Sequence, residues 1–328
     1  MTYRIAVTSG VAALAAIGLA AVTACSSSSS STPSASASTG GAASASASGG
    51  ASNPLSGGSG SGSVVIGSAN FPENEVLAEV YALALQKAGV KATTKLNIGA
   101  REVYYPQVQK GAITIIPEYN GNLLAVEVDK TSTAKTTAAV NAALAAKLPS
   151  TLTVLNSAPA QDSDSVTVTA ATAAKYHLKT IADLKPYASS MVLGGPPEWK
   201  TRSDGIPGLK ANYGLTFKSF NPLDTSGPIT LSALTSGKVQ AADVFTTTPQ
   251  IVTDKLVSLA DPKFNFAAQN VIPLVYKPAL TPTITSTLNA VSAKLTTAAL
   301  LQLDIKVITD KENYTTAASD WLKSVGLG

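Results

Sequence analysis

From Val64 onward, short apolar runs alternate with stretches of helical spacing. Val64-Val65-Ile66-Gly67 reads as a buried strand. The segment after it predicts a helix capped by Asn70, with Pro72 in its first turn and Glu73 three residues past the cap. Val76, Leu77, Val80, Tyr81 and Ala84 then fall on one helical face, and Gly89 ends the helix. Further strands are expected at residues 93–98 and at 113–116, the latter stopped by Pro117. A helix over residues 133–148 follows, then strands at 154–155, 166–169, 191–193, 242–245 and 271–275. Residues 281–325 have the spacing of two or three helices. Strands alternating with helices imply an α/β protein with sheets covered on both faces.

The chain before Val64 has a different texture. Arg4 precedes an apolar run over residues 11–20, and small residues lead to Cys25. A basic start, a short apolar core and small residues describe a secretory signal peptide, residues 1–24. The run is shorter than the roughly 20 residues a membrane span needs. Cys25 is the sole cysteine, and its place after Val22-Thr23-Ala24 resembles the lipobox of bacterial lipoproteins. The alternative is an ordinary signal peptide with a chance cysteine. The lipobox predicts lipidation at Cys25 and an anchor on the extracytoplasmic face of the cell membrane. Residues 25–63 are almost entirely Ser, Ala, Gly and Thr. They cannot offset the entropy of ordering, so a flexible tether is expected, with ends about 35 Å apart.

Composition removes several chemistries. One histidine and one cysteine leave no Cys–His or zinc arrangement. His177 sits in Lys175-Tyr176-His177-Leu178-Lys179, which reads as the end of a surface helix. There is no G-x-S-x-G, no Walker A loop and no dinucleotide fingerprint. Glu102 and Glu118 could form a carboxylate pair, but a chain with 20 acids offers such pairs by chance. No enzyme activity, cofactor or metal is expected. The net charge of +4 comes from dispersed Lys and Arg without interleaved aromatics, so nucleic acid is not an expected partner.

Three loops after predicted strands collect the informative residues, and open α/β sheets bind ligands at that end of their strands. They are Gly67-Ser68-Ala69-Asn70-Phe71-Pro72-Glu73, then Ile116-Pro117-Glu118-Tyr119-Asn120-Gly121, then a proline-rich loop over residues 194–208. The first runs into a helix N-terminus, whose free N–H groups suit an anionic ligand group. In this order the loops resemble the substrate-binding proteins of ABC transporters for glycine betaine, choline and related osmolytes. Ser68-Ala69-Asn70-Phe71-Pro72-Glu73-Asn74 stands where the family has Ser-x-Asn-Phe-Thr-Glu-Gln, and Pro117-Glu118-Tyr119-Asn120-Gly121 where it has Pro-Glu-Tyr-Thr-Gly. Residues 196–209, beginning Pro196-Pro197-Glu198-Trp199, stand where it has Pro-Pro-Glu-Phe-x-Thr-Arg-x-Asp-Gly-x-Pro-Gly-Leu. The likeness spans nearly all of residues 64–328.

The resemblance implies a two-lobe periplasmic-binding-protein fold of type II, with the ligand cleft between the lobes. Lobe one would be residues 64–161, lobe two 162–269, and residues 270–328 would return to lobe one. Closure on ligand is the implied motion. The implied role is a monomeric solute-binding protein that serves ABC permease subunits and their ATPase. Ligand-binding residues carried over are Asn70, Phe71, Arg101, Tyr104, Tyr119, Asn120, Pro197, Arg202, Phe245, Thr246 and Thr247.

Quaternary ammonium groups cannot donate hydrogen bonds and are held by aromatic faces. Tyr119 is either part of such a cage or a packing residue. One of Tyr104 and Tyr105 is expected to face the cleft. Leu231 replaces a family tyrosine, and Phe245-Thr246-Thr247-Thr248-Pro249 replaces Tyr-Thr-Thr-Asp-Gly. Arg101 departs most from a quaternary ammonium site. Pointing inward, it would repel a trimethylammonium group and favour a carboxylate or hydroxylated ligand. Otherwise it forms a surface salt bridge to Glu102 or Glu118, and Arg202 has the same ambiguity. Aromatic or polyhydroxy solutes therefore stand as the alternative ligand class, and a ligand-sensing module as the alternative role.

Overall fold

The computed structural model describes residues 63–328. The signal peptide, Cys25 and the tether, apart from its last residue, lie outside the described residues.

In the first half of the described chain, β1 (Val64–Gly67) leads to α1 (Pro72–Lys87), followed by β2 (Ala92–Lys95), α2 (Arg101–Gln109) and β3 (Ile115–Tyr119). A short α3 (Asn120–Asn122) continues as a π-helical turn over Leu123–Val128, before α4 (Thr137–Lys147) and β4 (Leu152–Val154). The Thr136 side chain caps α4 by accepting from the Ala139 N–H.

Two expectations are corrected here. The α1 N-cap is Phe71, which makes no side-chain cap bond, and Asn70 is exposed. Asn74, one turn in, does the tying instead: its side chain accepts from Ala69 N–H at 2.7 Å and donates to the Pro117 carbonyl at 2.9 Å. The strand is also not stopped by Pro117, which lies inside β3 opposite Pro273. Asn120 N–H donates to the Asn270 carbonyl, so pairs 118/272 and 116/274 are the hydrogen-bonded ones. Pro117 and Pro273 then form a non-hydrogen-bonded pair, and neither removes a bond from their shared ladder.

The second half runs β5 (Val166–Thr169), α5 (Ala170–Tyr176), β6 (Val192–Gly195), α6 (Ile206–Tyr213), β7 (Ser219–Pro222), α7 (Pro228–Thr235), β8 (Ala241–Asp243), α8 (Gln250–Thr253) and β9 (Leu256–Ser258). His177 is the exposed left-handed cap of α5. The chain returns through β10 (Val271–Tyr276) and ends in three helices, α9 (Pro282–Lys294), α10 (Thr297–Asp304) and α11 (Tyr314–Ser324).

These strands form two five-stranded sheets, ordered β2-β1-β3-β10-β4 and β7-β6-β8-β5-β9. Each has a parallel core and one reversed strand, β10 or β5, that arrives from the other half. Just before those strands the two crossing segments lie side by side, bridged at Gln161 and Asn270. Each sheet is packed on both faces. Val76, Leu77, Val80 and Tyr81 of α1 join α9–α11 on one face of the first sheet, and α2 and α4 cover the other. Trp199, Leu209 and Tyr213 bury one face of the second, and Leu231 and Leu234 of α7 the other. A fully buried side chain of this size contributes about 1.5–3 kcal/mol. The two separate cores leave a seam between them.

Candidate functional site

The seam holds a partly enclosed cleft with about 40 Å³ of free space. Its walls are carboxyl ends of strands, as the topology requires. Asn70 and Phe71 follow β1, Tyr119 ends β3, and Arg101 and Tyr104 come from the first turn of α2. Opposite them, Pro196, Glu198 and Arg202 follow β6, Thr225 follows β7 and Phe245 follows β8. A Cβ at Gly205 would collide with the Trp199 carbonyl, so the proline-rich loop folds back only with glycine there. That fold brings Glu198 and Arg202 to the cleft.

Aromatic faces meet across the seam. The Phe71 ring lies 5.1 Å from Phe245, edge to face, and 6.0 Å from Tyr119. Tyr104, 2 % exposed, also lines the cleft, whereas Tyr105 does not.

Arg101 lines the cleft and is buried, at 7 % exposure. Its guanidinium donates from Nε to Glu118 Oε1 at 3.0 Å and from Nη2 to Oε2 at 2.9 Å. The fully buried Glu118 also accepts from the Tyr104 hydroxyl at 2.7 Å and from the Tyr119 N–H at 2.9 Å. Burial, more than any neighbouring charge, pushes the Tyr104 hydroxyl well above the usual range, so it stays a donor. The expected partner of Arg101 is therefore present, but the pair is internal rather than on the surface.

Arg202 makes a second fork, to Glu102 of α2: Nε to Oε1 at 3.0 Å and Nη2 to Oε2 at 3.0 Å. Burial alone would raise Glu102, yet the hydrogen bonds and charge of Arg202 hold it below the usual carboxylate range. This fork joins one half of the molecule to the other, as does Ser203, whose hydroxyl donates to the Ala125 carbonyl at 3.1 Å.

Behind the aromatics sits a group of buried acids. Glu73 accepts from the Tyr119 hydroxyl and, at 2.6 Å, from Thr247 Oγ1. Asp162, on the crossing segment, accepts from the Thr247 N–H at 3.1 Å and from Thr246 Oγ1 at 3.2 Å. Burial, then neighbouring acids, pushes Glu73 and Asp162 well above the carboxylate range, and burial pushes Asp304 up to about 8 against the lowering effect of its hydrogen bond with Glu73.

A second acidic group lies on the other side of the crossing. Asp164 lines the cleft and accepts from Asn122 Nδ2 at 2.7 Å. Neither Asp243 oxygen meets a conventional donor. Burial, then the Asp164 charge, raises Asp243 well above its ordinary range. Asp204 is pushed up to about 6, by burial first and then by Asp164.

Of the expected site residues, the structure brings Asn70, Phe71, Arg101, Tyr104, Tyr119, Arg202 and Phe245 together at the cleft. It places four elsewhere. Asn120 is fully buried: its side chain donates to Asn141 and accepts from the Asn270 N–H, which ties β3 to β10. Pro197 is exposed, and its neighbour Pro196 lines the cleft. Thr246 and Thr247 hold the acids of the crossing and do not reach the free space. Leu231, at the position of a family tyrosine, is core. Asn122, Asp162, Asp164, Glu198 and Thr225 are cleft residues the sequence reasoning missed. The polar run Gln161-Asp162-Ser163-Asp164-Ser165 in a segment expected to cross between lobes was the available signal.

Residues 62–324 match the family described as the substrate binding domain of ABC-type glycine betaine transport system. The glycine betaine-binding protein YehZ of Escherichia coli (strain K12) is 26 % identical over 276 residues, covering 80 % of this chain and 90 % of that protein. The ergothioneine transport permease/ergothioneine binding protein EgtU of Helicobacter pylori (strain G27) is 23 % identical; the alignment covers 80 % of this chain and 48 % of EgtU. Among solved structures, a glycine betaine/carnitine/choline ABC transporter protein aligns with a TM-score of 0.63 at 23 % identity, over 80 % of this chain and 99 % of that one. That likeness shows the shared fold, the two-lobe α/β architecture of type II periplasmic binding proteins. Among the described residues, no helix is long and apolar enough to cross a membrane.

Proposed function

The chain belongs to the family of substrate-binding domains of ABC-type glycine betaine transport systems, and from that premise we propose that it captures a small quaternary ammonium solute in this cleft and presents it to ABC permease subunits and their ATPase. The observation that carries the proposal is the aromatic contact of Phe71 with Phe245 and Tyr119 at the cleft, within a wall that also holds carboxylates. Aromatic faces attract such a cation by about 0.5–2 kcal/mol each. The ligand-binding set is Asn70, Phe71, Arg101, Tyr104, Tyr119, Arg202 and Phe245, joined by Asn122, Asp164 and Glu198. Residues 64–161 and 270–328 act as one lobe and 162–269 as the other, with closure as the working motion. No bond is made or broken. The protein works as a monomer on the extracytoplasmic face, held there by a lipid on Cys25 and the tether of residues 25–63.

A thermal-shift screen of the chain tests the ligand class, because a ligand that binds only the native state stabilises it by RT ln(1 + [L]/Kd). Glycine betaine, choline or proline betaine should raise the melting temperature. A shift with aromatic or polyhydroxy solutes alone would discard the quaternary ammonium assignment. Replacing Cys25→Ser should release the protein from the membrane fraction; retention would discard the anchor.

A further inference from the structure

Resting on that assignment, the charges around the cleft narrow the solute further: we propose that the site selects a cation that carries no carboxylate of its own, with Asp164 as its counter-charge, over a zwitterion. Two arginines line the cleft, and both are already held bidentately by carboxylates of this chain, Arg101 by Glu118 and Arg202 by Glu102. A solute carboxylate seeking Arg101 would have to displace Glu118, which is fully buried and accepts from Arg101, the Tyr104 hydroxyl and the Tyr119 N–H. Seeking Arg202, it would have to displace Glu102 from a two-bond fork that also joins the two halves of the protein.

The carboxylates of the cleft stand differently. Neither Asp164 nor Glu198 has a Lys or Arg nitrogen within salt-bridge distance among the described residues. Asp164 is 6 % exposed, and its side chain accepts from the neutral amide of Asn122. Its neighbour Asp243 is raised well above the ordinary carboxylate range, by burial first and then by the Asp164 charge, and so offers Asp164 no positive partner. Arg202 is within electrostatic reach of Asp164, but its hydrogen bonds go to Glu102. A buried charge without a counter-ion is costly, and an entering cation relieves that cost. A zwitterion brings the same cation together with a carboxylate that finds no free positive group and is repelled by Asp164 and Glu198. The methyl groups of the ammonium would rest on Phe71, Tyr119 and Phe245, with the positive charge turned toward Asp164.

Isothermal titration of the intact chain with choline and with glycine betaine at neutral pH reads this directly, since both carry the same trimethylammonium group. Choline should bind at least about tenfold more tightly, the factor that corresponds to about 1.4 kcal/mol. Asp164→Asn should erase the preference by weakening choline about tenfold while leaving betaine unchanged or tighter. Glu198→Gln, on a half-buried side chain, should reduce the ratio by less. Betaine binding as tightly as choline to the wild type, or a ratio unaltered by Asp164→Asn, would overturn the selectivity and leave the quaternary ammonium assignment standing. Binding of neither solute would overturn both. If Asp164→Asn does not fold, as circular dichroism would report, the wild-type ratio alone decides.

Discussion

The two arginine–glutamate forks at the cleft have the same hydrogen-bond geometry and opposite settings. Arg101 and Glu118 belong to neighbouring elements of one half of the molecule, and both are buried. Arg202 and Glu102 come from different halves, and Glu102 is 41 % exposed. A buried pair must satisfy every lone pair and proton internally, which explains why Glu118 also collects Tyr104 and the Tyr119 N–H. A partly solvated pair faces no such demand, and its net contribution is small and salt-sensitive. The internal fork therefore builds the floor of the cleft. The seam fork adds a modest tie between the two halves, alongside Ser203 on Ala125, Thr247 on Glu73 and Phe71 against Phe245.

The largest expected effect comes from breaking the internal fork. Glu118→Ala strands a buried guanidinium and should destabilise the protein by about 3–5 kcal/mol in chemical denaturation. A loss below 1 kcal/mol would mean that Arg101 swings to solvent.

The acids behind the seam should produce the next effect, through pH. Asp304 is raised in the folded state to about 8, from an ordinary value near 4 when unfolded. Between those values the folded protein holds the extra proton, so stability falls as pH rises from about 4 to about 8 and levels off above. Glu73, Asp162 and Asp243 are raised in the same sense. Asp304→Asn should flatten the slope of denaturation midpoint against pH; a slope of the opposite sign would show that these acids are ionised when folded.

Removing the aromatic half of the seam should act on affinity. Phe245→Ala should weaken a quaternary ammonium ligand by about 0.5–2 kcal/mol, read as a rise in Kd. It should move Kd less than Phe71→Ala does, because Phe71 also packs against Tyr119.

The smallest effect belongs to the exposed fork. Glu102→Gln should change global stability by less than about 1 kcal/mol, and the difference from wild type should shrink as salt is raised. A loss matching that of Glu118→Ala would erase the distinction between the two forks.

Much of the fold is legible along the chain, because burial on both faces of a central strand leaves an unbroken apolar run. β1 appears at its expected residues for that reason, and β5, Val166-Thr167-Val168-Thr169, appears at its own through its β-branched composition. Pro117 misleads because its tolerance depends on a partner proline 156 positions away, across a ladder that no local pattern reveals. α2 escapes notice because its first turn, Arg101-Glu102-Val103-Tyr104, is polar and aromatic on the side that meets the cleft. Loop motifs led to Phe71, Tyr119 and Phe245, since those loops follow strands whose ends must converge. They also led to Asn120 and Thr247, one or two positions from the cleft, where side-chain direction rather than loop position separates ligand contact from scaffold.

By itself the sequence determined the strand–helix alternation, the order of the loops and the family they mark. It also supplied an arginine, tyrosines and carboxylates within the same short segments. Only the tertiary structure decided which charges remain unmatched. Arg101 finds its counter-ion 17 residues away and Arg202 100 residues away, while Asp164 is left facing the cleft without one. Periodicity and motifs are local properties of the chain. The electrostatic character of a cleft is set by pairings across it, and those exist only after both halves have folded against each other.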